Sequence, residues 1–177
     1  MSDQTVIRPS KLAHFVIRTA RGPEVVAWWT TVLGAEVRHE NEILTFLTYD
    51  DEHHRLAIVN IPSLADSDRK RAGLEHVAFA YDSLDDLLAT YERLKAAGIT
   101  PVAPINHGMS FSLYYADPDG LQCELQIDTL DVDAATEFMA SDVFAANPIG
   151  VPFDPDDIVA RRADGETVAS LTEYVPA

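Results

Sequence analysis

The sequence predicts an α+β fold in which two β-α-β-β-β modules form one open, barrel-like mixed sheet, followed by a C-terminal extension. Two observations predict this class. The order strand, helix and then three strands occurs twice, over about residues 11–62 and 73–128. A histidine also falls early in the first strand of each module, at His14 and His76. A chain of 177 residues is long enough for one well-buried domain with two halves.

The first module begins with a β-like segment and a short helix. Strand signals cover residues 12–19, 36–39, 43–49 and 54–60. A helix is predicted from Pro23, which suits a first helical turn, to Leu33, because Gly34 ends it. Trp28 and Trp29 give this helix a bulky apolar face that is typical of a core or an interface.

The second module repeats that order. Strands are predicted at residues 75–81, 99–105, 110–116 and 121–127. Ser83 is a candidate N-cap, and Asp85 and Asp86 follow it in the first helical turn, where they suit the helix dipole. Leucines at helical spacing continue this helix to a stop at Gly98. The modules together make a domain over residues 1–128.

The remaining residues, 129–177, differ in character. From Asp128 onward the chain has eleven acidic residues against only Arg161 and Arg162, includes Pro148, Pro152 and Pro155, and shows no strand alternation. Residues 137–139 and 157–160 could form short helices. We expect an extension that wraps the core or a neighbouring subunit. A partly disordered, solubilising tail is the alternative, although scattered apolar residues argue against full disorder.

Composition excludes several classes of protein. The net charge of −16 argues against binding to nucleic acid or to anionic membrane surfaces. A single cysteine, Cys123, excludes an intramolecular disulfide framework and favours a reducing compartment. The chain has no apolar signal segment at its N-terminus and no stretch long enough to span a membrane. We therefore expect a soluble cytoplasmic protein.

Three ionisable residues in apolar, strand-like runs point to a metal. His14, His76 and Glu124 would each be costly in a strand unless something bound them. Two imidazoles and one carboxylate leave open positions on a divalent metal, which is the ligand set of non-haem Fe(II) oxygenases. Side chains alternate along a strand, so Cys123 points away from Glu124 and is expected to be a packed thiol. For any single histidine, a hydrogen-bonded core position is the alternative.

Three segments carry a resemblance to a known family. They are residues 53–57 (His-His-Arg-Leu-Ala), residues 106–115 (Asn-His-Gly-Met-Ser-Phe-Ser-Leu-Tyr-Tyr) and Asp117-Pro118-Asp119-Gly120 running into residues 124–126. Together with the duplicated modules, they resemble the vicinal oxygen chelate superfamily of glyoxalases, antibiotic-resistance proteins and extradiol dioxygenases. Within it the chain is similar to the small, single-domain type I extradiol dioxygenases, of the biphenyl-2,3-diol 1,2-dioxygenase type. Residues 145–150 and 153–157 of the extension are also similar to that group.

The resemblance implies both an activity and the residues that perform it. His14, His76 and Glu124 match the family's Fe(II) ligands, with Mn(II) as the alternative metal. His54 matches its acid/base histidine and Tyr114 its active-site tyrosine, while Asn106 and His107 lie in its Asn-His-Gly segment. The implied reaction inserts O2 into a catechol-type diol, such as a 2,3-dihydroxybiphenyl, and gives a ring-opened semialdehyde or keto acid.

Other interpretations stay open at this stage. His53 and His54 could be an exposed turn pair, Tyr114 could serve packing, His107 could be a loop residue, and His39 is expected at the surface. A glyoxalase-like isomerase would need a fourth ligand near residues 56–59, where the sequence is apolar. A metal-free protein that sequesters small molecules is the non-enzyme alternative. We expect a homo-oligomer, because curved sheets leave edges that a second copy can cover.

Overall fold

A computed structural model of the chain describes residues 6–176 and divides the molecule into two compact units, Met1–Asp68 and Arg69–Ala177. The first unit contains five elements in the order β1 (Phe15–Thr19), α1 (Gly22–Leu33), β2 (Glu36–Glu40), β3 (Leu44–Thr48) and β4 (Leu56–Asn60). Its four strands form a sheet in the order β1-β4-β3-β2. β1 is parallel to β4, and the other neighbours are antiparallel.

Helix α1 covers one face of the first sheet. Pro23 lies in its first turn, and Gly34 caps its C-terminus in the left-handed conformation, with φ of 61°. Trp29 is fully buried, and its ring contacts the edge of the Phe15 ring with centroids 5.7 Å apart. Phe15 and the residues that share its face therefore point towards α1, and the alternate residues of β1, β3 and β4 point the other way.

The second unit repeats the same order of elements and then continues. The elements are β5 (His76–Ala80), α2 (Leu84–Ala96), β6 (Ala103–Asn106), β7 (Ser110–Ala116), β8 (Gln122–Asp128), α3 (Val132–Met139), α4 (Asp142–Ala146), β9 (Val151–Pro152), α5 (Pro155–Ala163) and α6 (Val168–Leu171). The strands form a five-stranded sheet in the order β5-β8-β7-β6-β9. β5 and β8 are parallel, as β1 and β4 are in the first unit.

Helix α2 and one face of the second sheet form the core of this unit. Ser83 caps the helix, since its hydroxyl accepts a hydrogen bond from the Asp86 backbone N–H at 3.1 Å. Leucines at 84, 87, 88 and 94 are buried. Cys123 is a fully buried free thiol, which confirms the expectation of a packed side chain. Glu124 and its neighbours at every second position lie on the opposite face.

The C-terminal extension packs on the sheet and helix of its own unit. β9 adds to the edge of the sheet by pairing with β6, and the ring of Phe153 stacks on that of Phe111 with centroids 3.9 Å apart. Asp156 accepts hydrogen bonds from the Tyr91 hydroxyl at 2.7 Å and from Lys95 at 2.6 Å. The extension thus includes a short strand, which its lack of alternation did not predict.

The α+β class and the two β-α-β-β-β modules are confirmed. The described strands form two mixed sheets of four and five strands, where one open sheet was expected, and they do not make a closed barrel. β1 also begins one residue after His14, because its parallel pairing with β4 starts at Phe15. Within residues 6–176, no helix is both long enough and apolar enough to cross a membrane.

Candidate active site

One group of predicted site residues lies on the face of the second sheet opposite helix α2. The strand register pairs Glu124 of β8 with Ala78 of β5 on one side and with Tyr114 of β7 on the other. Residues paired across a sheet share a face, so Glu124 and Tyr114 point the same way, as does His76, two residues before Ala78. We call His76, His107, Tyr114 and Glu124 the second-unit cluster.

The four side chains of the second-unit cluster are in close contact. His76 Nε2 lies 3.1 Å from Glu124 Oε2, and His107 Nε2 lies 4.0 Å from Glu124 Oε1. His107 Nε2 also forms a hydrogen bond with the Tyr114 hydroxyl at 3.0 Å. Glu124 is 4% exposed, whereas about a third of the His76 side chain (36%) is open to solvent. The carboxylate is therefore buried beside an imidazole, that of His76, that solvent can reach.

The electrostatics of this cluster suit a cation. Burial raises the pKa of Tyr114 well above its usual range, and the charge of Glu124 and a hydrogen bond to it act in the same direction. The phenol therefore stays protonated. In the described part of the chain, Glu124 lies within 4.0 Å of the His76 and His107 imidazoles, which carry charge only when protonated, and it forms no ion pair with a lysine or arginine. Because a buried carboxylate without a cationic partner is costly, this donor set fits a divalent metal.

A second group of predicted residues is in the first unit. The His14 and His54 rings have centroids 4.4 Å apart, and the His54 ring is stacked nearly parallel on Phe46 at 4.3 Å. His53 Nδ1 lies 2.6 Å from His54 Nδ1, although the His53 side chain is mostly exposed. We call His14, His53, His54 and Phe46 the first-unit cluster.

Two basic residues bring His14 to the loop that carries His54. Arg55 Nη1 donates hydrogen bonds to the backbone carbonyls of Leu12 at 2.9 Å and Ala13 at 3.2 Å. Arg55 Nε donates to Asp50 at 2.9 Å, and Lys11 forms an ion pair with Glu52. The segment before β1 is thus held against the loop before β4, which explains why two histidines forty positions apart are neighbours.

The environment of His54 favours its neutral form. Burial lowers the pKa of this imidazole below its usual value, and the neighbouring His14 and His53 lower it further, while Glu52 opposes them. A neutral imidazole near pH 7 can accept a proton. His54 thus has the protonation state that an acid/base residue needs at the start of a reaction.

The structure groups the predicted residues by unit. His76, Glu124, His107 and Tyr114 lie together in the second unit, and His14 and His54 lie together in the first. Within the residues that the structure describes, neither cluster by itself holds three His, Cys, Asp or Glu side chains arranged to bind a metal. The assignment of His14, His76 and Glu124 as one ligand set therefore stays a prediction from the sequence.

The sequence reasoning missed Phe46, which stacks on His54. The signal was present, because alternation along β3 places Phe46 on the face away from α1, next to Ala57 of β4. His39, expected at the surface, is exposed. Trp29, one of two tryptophans with a predicted core or interface role, is in the core of the first unit.

Two cavities of about 380 Å³ lie apart from these clusters. One, in the first unit, is lined by residues from the start of α1, the end of β2 and the strands β3 and β4, among them Gly22, Glu40 and Asn60. The other, in the second unit, lies between β9, α5 and the residues after α6. Neither is lined by a predicted metal ligand or by a predicted catalytic residue.

Comparison with known proteins places this fold and these residues in a family. Residues 11–125 match the Glyoxalase/Bleomycin resistance protein/Dioxygenase superfamily. The match covers well over half of the chain, and the duplicated modules are consistent with it. The chain therefore belongs to this superfamily, and the resemblance inferred from its motifs is confirmed.

Among its relatives are two dioxygenases of Rhodococcus globerulus. Biphenyl-2,3-diol 1,2-dioxygenase 2 is 43% identical over 166 residues, which are 93% of this chain and 87% of the relative. Biphenyl-2,3-diol 1,2-dioxygenase 3 is 42% identical over 165 residues, 92% of this chain and 87% of the relative. A solved glyoxalase/bleomycin resistance protein/dioxygenase from Nocardioides matches with a TM-score of 0.56 and 23% identity, over 73% of this chain and 89% of that one, which supports the fold alone.

Proposed function

We propose that this protein is an Fe(II)-dependent extradiol dioxygenase, which cleaves a catechol-type aromatic diol with O2. The observation that carries the proposal is the buried Glu124 carboxylate, which faces His76 and has no lysine or arginine partner within residues 6–176. The product is a ring-opened semialdehyde or keto acid. The preferred substrate class is a diol of the 2,3-dihydroxybiphenyl type.

The enzyme class rests on the two dioxygenase relatives. Each is more than 40% identical over more than nine-tenths of this chain. In a biphenyl-2,3-diol the hydroxyl groups are on carbons 2 and 3, so a 1,2-dioxygenase breaks the bond just outside the diol, which defines extradiol cleavage. The chain is thus an enzyme of the extradiol dioxygenase class, and the particular diol is part of the proposal.

The proposed metal ligands are those that the family resemblance implies, His14, His76 and Glu124. Two imidazoles and a carboxylate are the donor set of non-haem Fe(II) oxygenases, and Mn(II) accepts the same donors. When bound, the metal would supply coordination of the diol and of O2 and the electron transfer between them. Transfer of the diol proton and orientation of the diol are the roles of the protein's own side chains.

We assign His54 the role of the general base that takes a proton from the diol and later returns it. Its lowered pKa keeps the imidazole neutral before substrate arrives, and stacking on Phe46 fixes the ring plane. Tyr114 and His107 form a hydrogen-bonded pair. Because the pKa of Tyr114 is raised, its hydroxyl remains a donor that can hold an oxygen atom of the reacting diol.

Anaerobic reconstitution with Fe(II) tests this function. The metal-free protein is loaded, desalted and mixed in air with a panel of monocyclic, bicyclic and larger catechols. We expect stoichiometric iron, growth of a visible absorbance from the ring-opened product and matching O2 uptake. Loading with Mn(II) and with Zn(II) in parallel identifies the active metal, because Zn(II) has no accessible redox chemistry.

The outcomes separate the proposal from its rivals. Iron binding without O2 uptake would contradict the dioxygenase and favour an isomerase on the same scaffold. Absence of any metal binding would favour a protein that sequesters small molecules. A homo-oligomer is also proposed, because a second copy can cover the exposed edges of curved sheets. Light scattering on the metal-loaded protein measures the number of subunits.

A further inference from the structure

The loop that carries His107 is held by the C-terminal extension through one buried side chain, that of Asn106. Asn106 is 7% exposed. Its Oδ1 accepts a hydrogen bond from the Gly108 backbone N–H at 2.8 Å, which closes a tight turn around His107. Both polar atoms of this side chain are therefore engaged within the protein.

The other end of the Asn106 amide reaches the C-terminal extension. Its Nδ2 donates hydrogen bonds to the backbone carbonyls of Thr172 at 3.1 Å and Glu173 at 3.2 Å. An amide nitrogen has two protons, and both acceptors lie more than sixty positions further along the chain. One side chain therefore joins the turn around His107 to the segment that follows α6.

Two glycines show how closely the extension approaches this turn. Gly108 has φ of +84°, and a Cβ at this position would lie 2.4 Å from Cζ of Phe138 in α3. Gly150 has φ of +98°, and its Cβ would lie 2.3 Å from the carbonyl oxygen of Asn106. A side chain is excluded at both positions by conformation and by space. Tyr174 completes the enclosure, since its ring lies 5.5 Å from that of Phe138.

We propose that Asn106 is a positioning residue, through which the C-terminal extension holds His107 in hydrogen-bonding contact with Tyr114. The inference rests on the proposed function, in which the His107–Tyr114 pair holds the reacting diol. It assigns the extension a part in turnover that neither a solubilising tail nor a subunit arm would have. Because His107 Nε2 lies 3.0 Å from the Tyr114 hydroxyl, a small movement of the turn breaks that hydrogen bond.

The substitution Asn106→Asp tests this in the full chain. The aspartate keeps the oxygen that accepts from Gly108, but it replaces the donor to Thr172 and Glu173 with a carboxylate oxygen facing two carbonyl oxygens. Asn41→Asp is the matched control, because Asn41 Oδ1 also accepts backbone hydrogen bonds, from Ile43 and Leu44, in an exposed turn of the first unit. We expect Asn106→Asp to lower kcat about 10- to 100-fold with KM little changed, as displaced catalytic groups do.

A double-mutant cycle with His107→Gln separates positioning from loss of structure. If Asn106 acts through His107, Asn106→Asp has almost no further effect on kcat in the His107→Gln background. An equal loss of kcat in both backgrounds would mean a general structural role and would overturn the proposal. If Asn106→Asp does not fold, Phe138→Leu takes its place in the cycle with His107→Gln, because it loosens the packing of the extension on Gly108.

A second readout is independent of turnover. In the metal-free full chain, the His107 and Tyr114 rings lie edge to face with centroids 5.9 Å apart, close enough for a nuclear Overhauser contact. We expect this contact in the wild type and in Asn41→Asp, and its loss in Asn106→Asp. Its persistence in Asn106→Asp would overturn the proposal. A fully active His107→Gln would instead refute the assigned role of His107, and the ring contact would then decide positioning by itself.

Discussion

The two units have the same plan, but they differ at the positions that carry chemistry. In the second sheet, Glu124 is paired with Ala78 of the first strand and with Tyr114 of the preceding strand. The corresponding position of the first sheet is Ala57, which is paired with Val16 and Phe46. An alanine thus stands where the second unit has a buried carboxylate, and a phenylalanine stands where it has a tyrosine.

This difference shows how one module can lack the buried carboxylate while both keep the fold. Ala57 is 3% exposed and needs no partner, whereas Glu124 is equally buried and does. The first unit instead brings His54 from the loop before β4 to His14. Each unit therefore has a histidine at or just before the start of its first strand. The other candidate residues are His54 in a loop of the first unit and His107, Tyr114 and Glu124 in the second.

Removing the carboxylate should have the largest effect. We expect Glu124→Ala to abolish metal binding and turnover together, because it makes the second unit as apolar at this position as the first. His76→Ala should behave in the same way. Iron per chain after anaerobic reconstitution and O2 uptake are the measurements, with Glu92→Ala on the exposed face of α2 as the control. Stoichiometric iron in Glu124→Ala would refute its role as a ligand.

The loop histidine of the first unit should have the next largest effect. We expect His54→Ala to keep iron and substrate binding and to lower kcat at least about a hundredfold, the usual contribution of an acid/base group. His39, an exposed histidine of the same unit, is the matched control, and His39→Ala should stay close to wild type. Steady-state kinetics with iron content measured in parallel checks this, and unchanged turnover in His54→Ala would remove the residue from the mechanism.

The pH dependence of turnover should report the same residue. The pKa of His54 is lowered in the folded protein, so the imidazole is neutral at pH 7 and gains a proton only as the pH falls below its ordinary value of about 6.5. Protonation removes the base, so kcat should fall on the acid side of that value and stay level above it. The acid limb should be absent from the residual activity of His54→Ala.

Tyr114→Phe gives the second unit the residue type that the first unit has at the corresponding position, Phe46. It should have a moderate effect on turnover. It removes the hydroxyl bonded to His107, and we expect kcat to fall about tenfold, the scale of one hydrogen bond, with iron content unchanged. Because the pKa of Tyr114 is raised, the phenol stays protonated up to at least pH 10. The pH profiles of wild type and variant should therefore have the same shape on the alkaline side, and a difference there would contradict the assignment.

The smallest effect should come from the arginines that hold the segments before the first strands. Arg55 donates to the carbonyls of Leu12 and Ala13, and Arg69 donates to that of Glu75, just before His76. Arg55 is the more buried and also binds Asp50. We expect Arg55→Met to lower Tm by about 2–4 °C and Arg69→Met by less. Calorimetry measures both, and the reverse order would contradict the comparison.

Local signals were sufficient for most of the fold. The α1 helix follows from Pro23 and Gly34, α2 from Ser83 and its leucines, and the bounds of β7 agree with the strand predicted at residues 110–116. These elements are set by backbone conformation and by side chains within one or two turns of each other. The duplicated order of elements and the types of the candidate ligands could therefore be predicted, together with family membership.

Contacts between distant segments were decided by the tertiary structure alone. The sequence could not predict that the strands form two sheets, that His54 stacks on Phe46, or that β9 joins the edge of the second sheet. The sequence indicated Asn106 only through the family resemblance. Its partners, the backbone carbonyls of Thr172 and Glu173, could not be predicted, because every residue type has a backbone carbonyl. A hydrogen bond to a backbone atom far along the chain forms only if the fold brings the two segments together, and residue types by themselves do not determine that path.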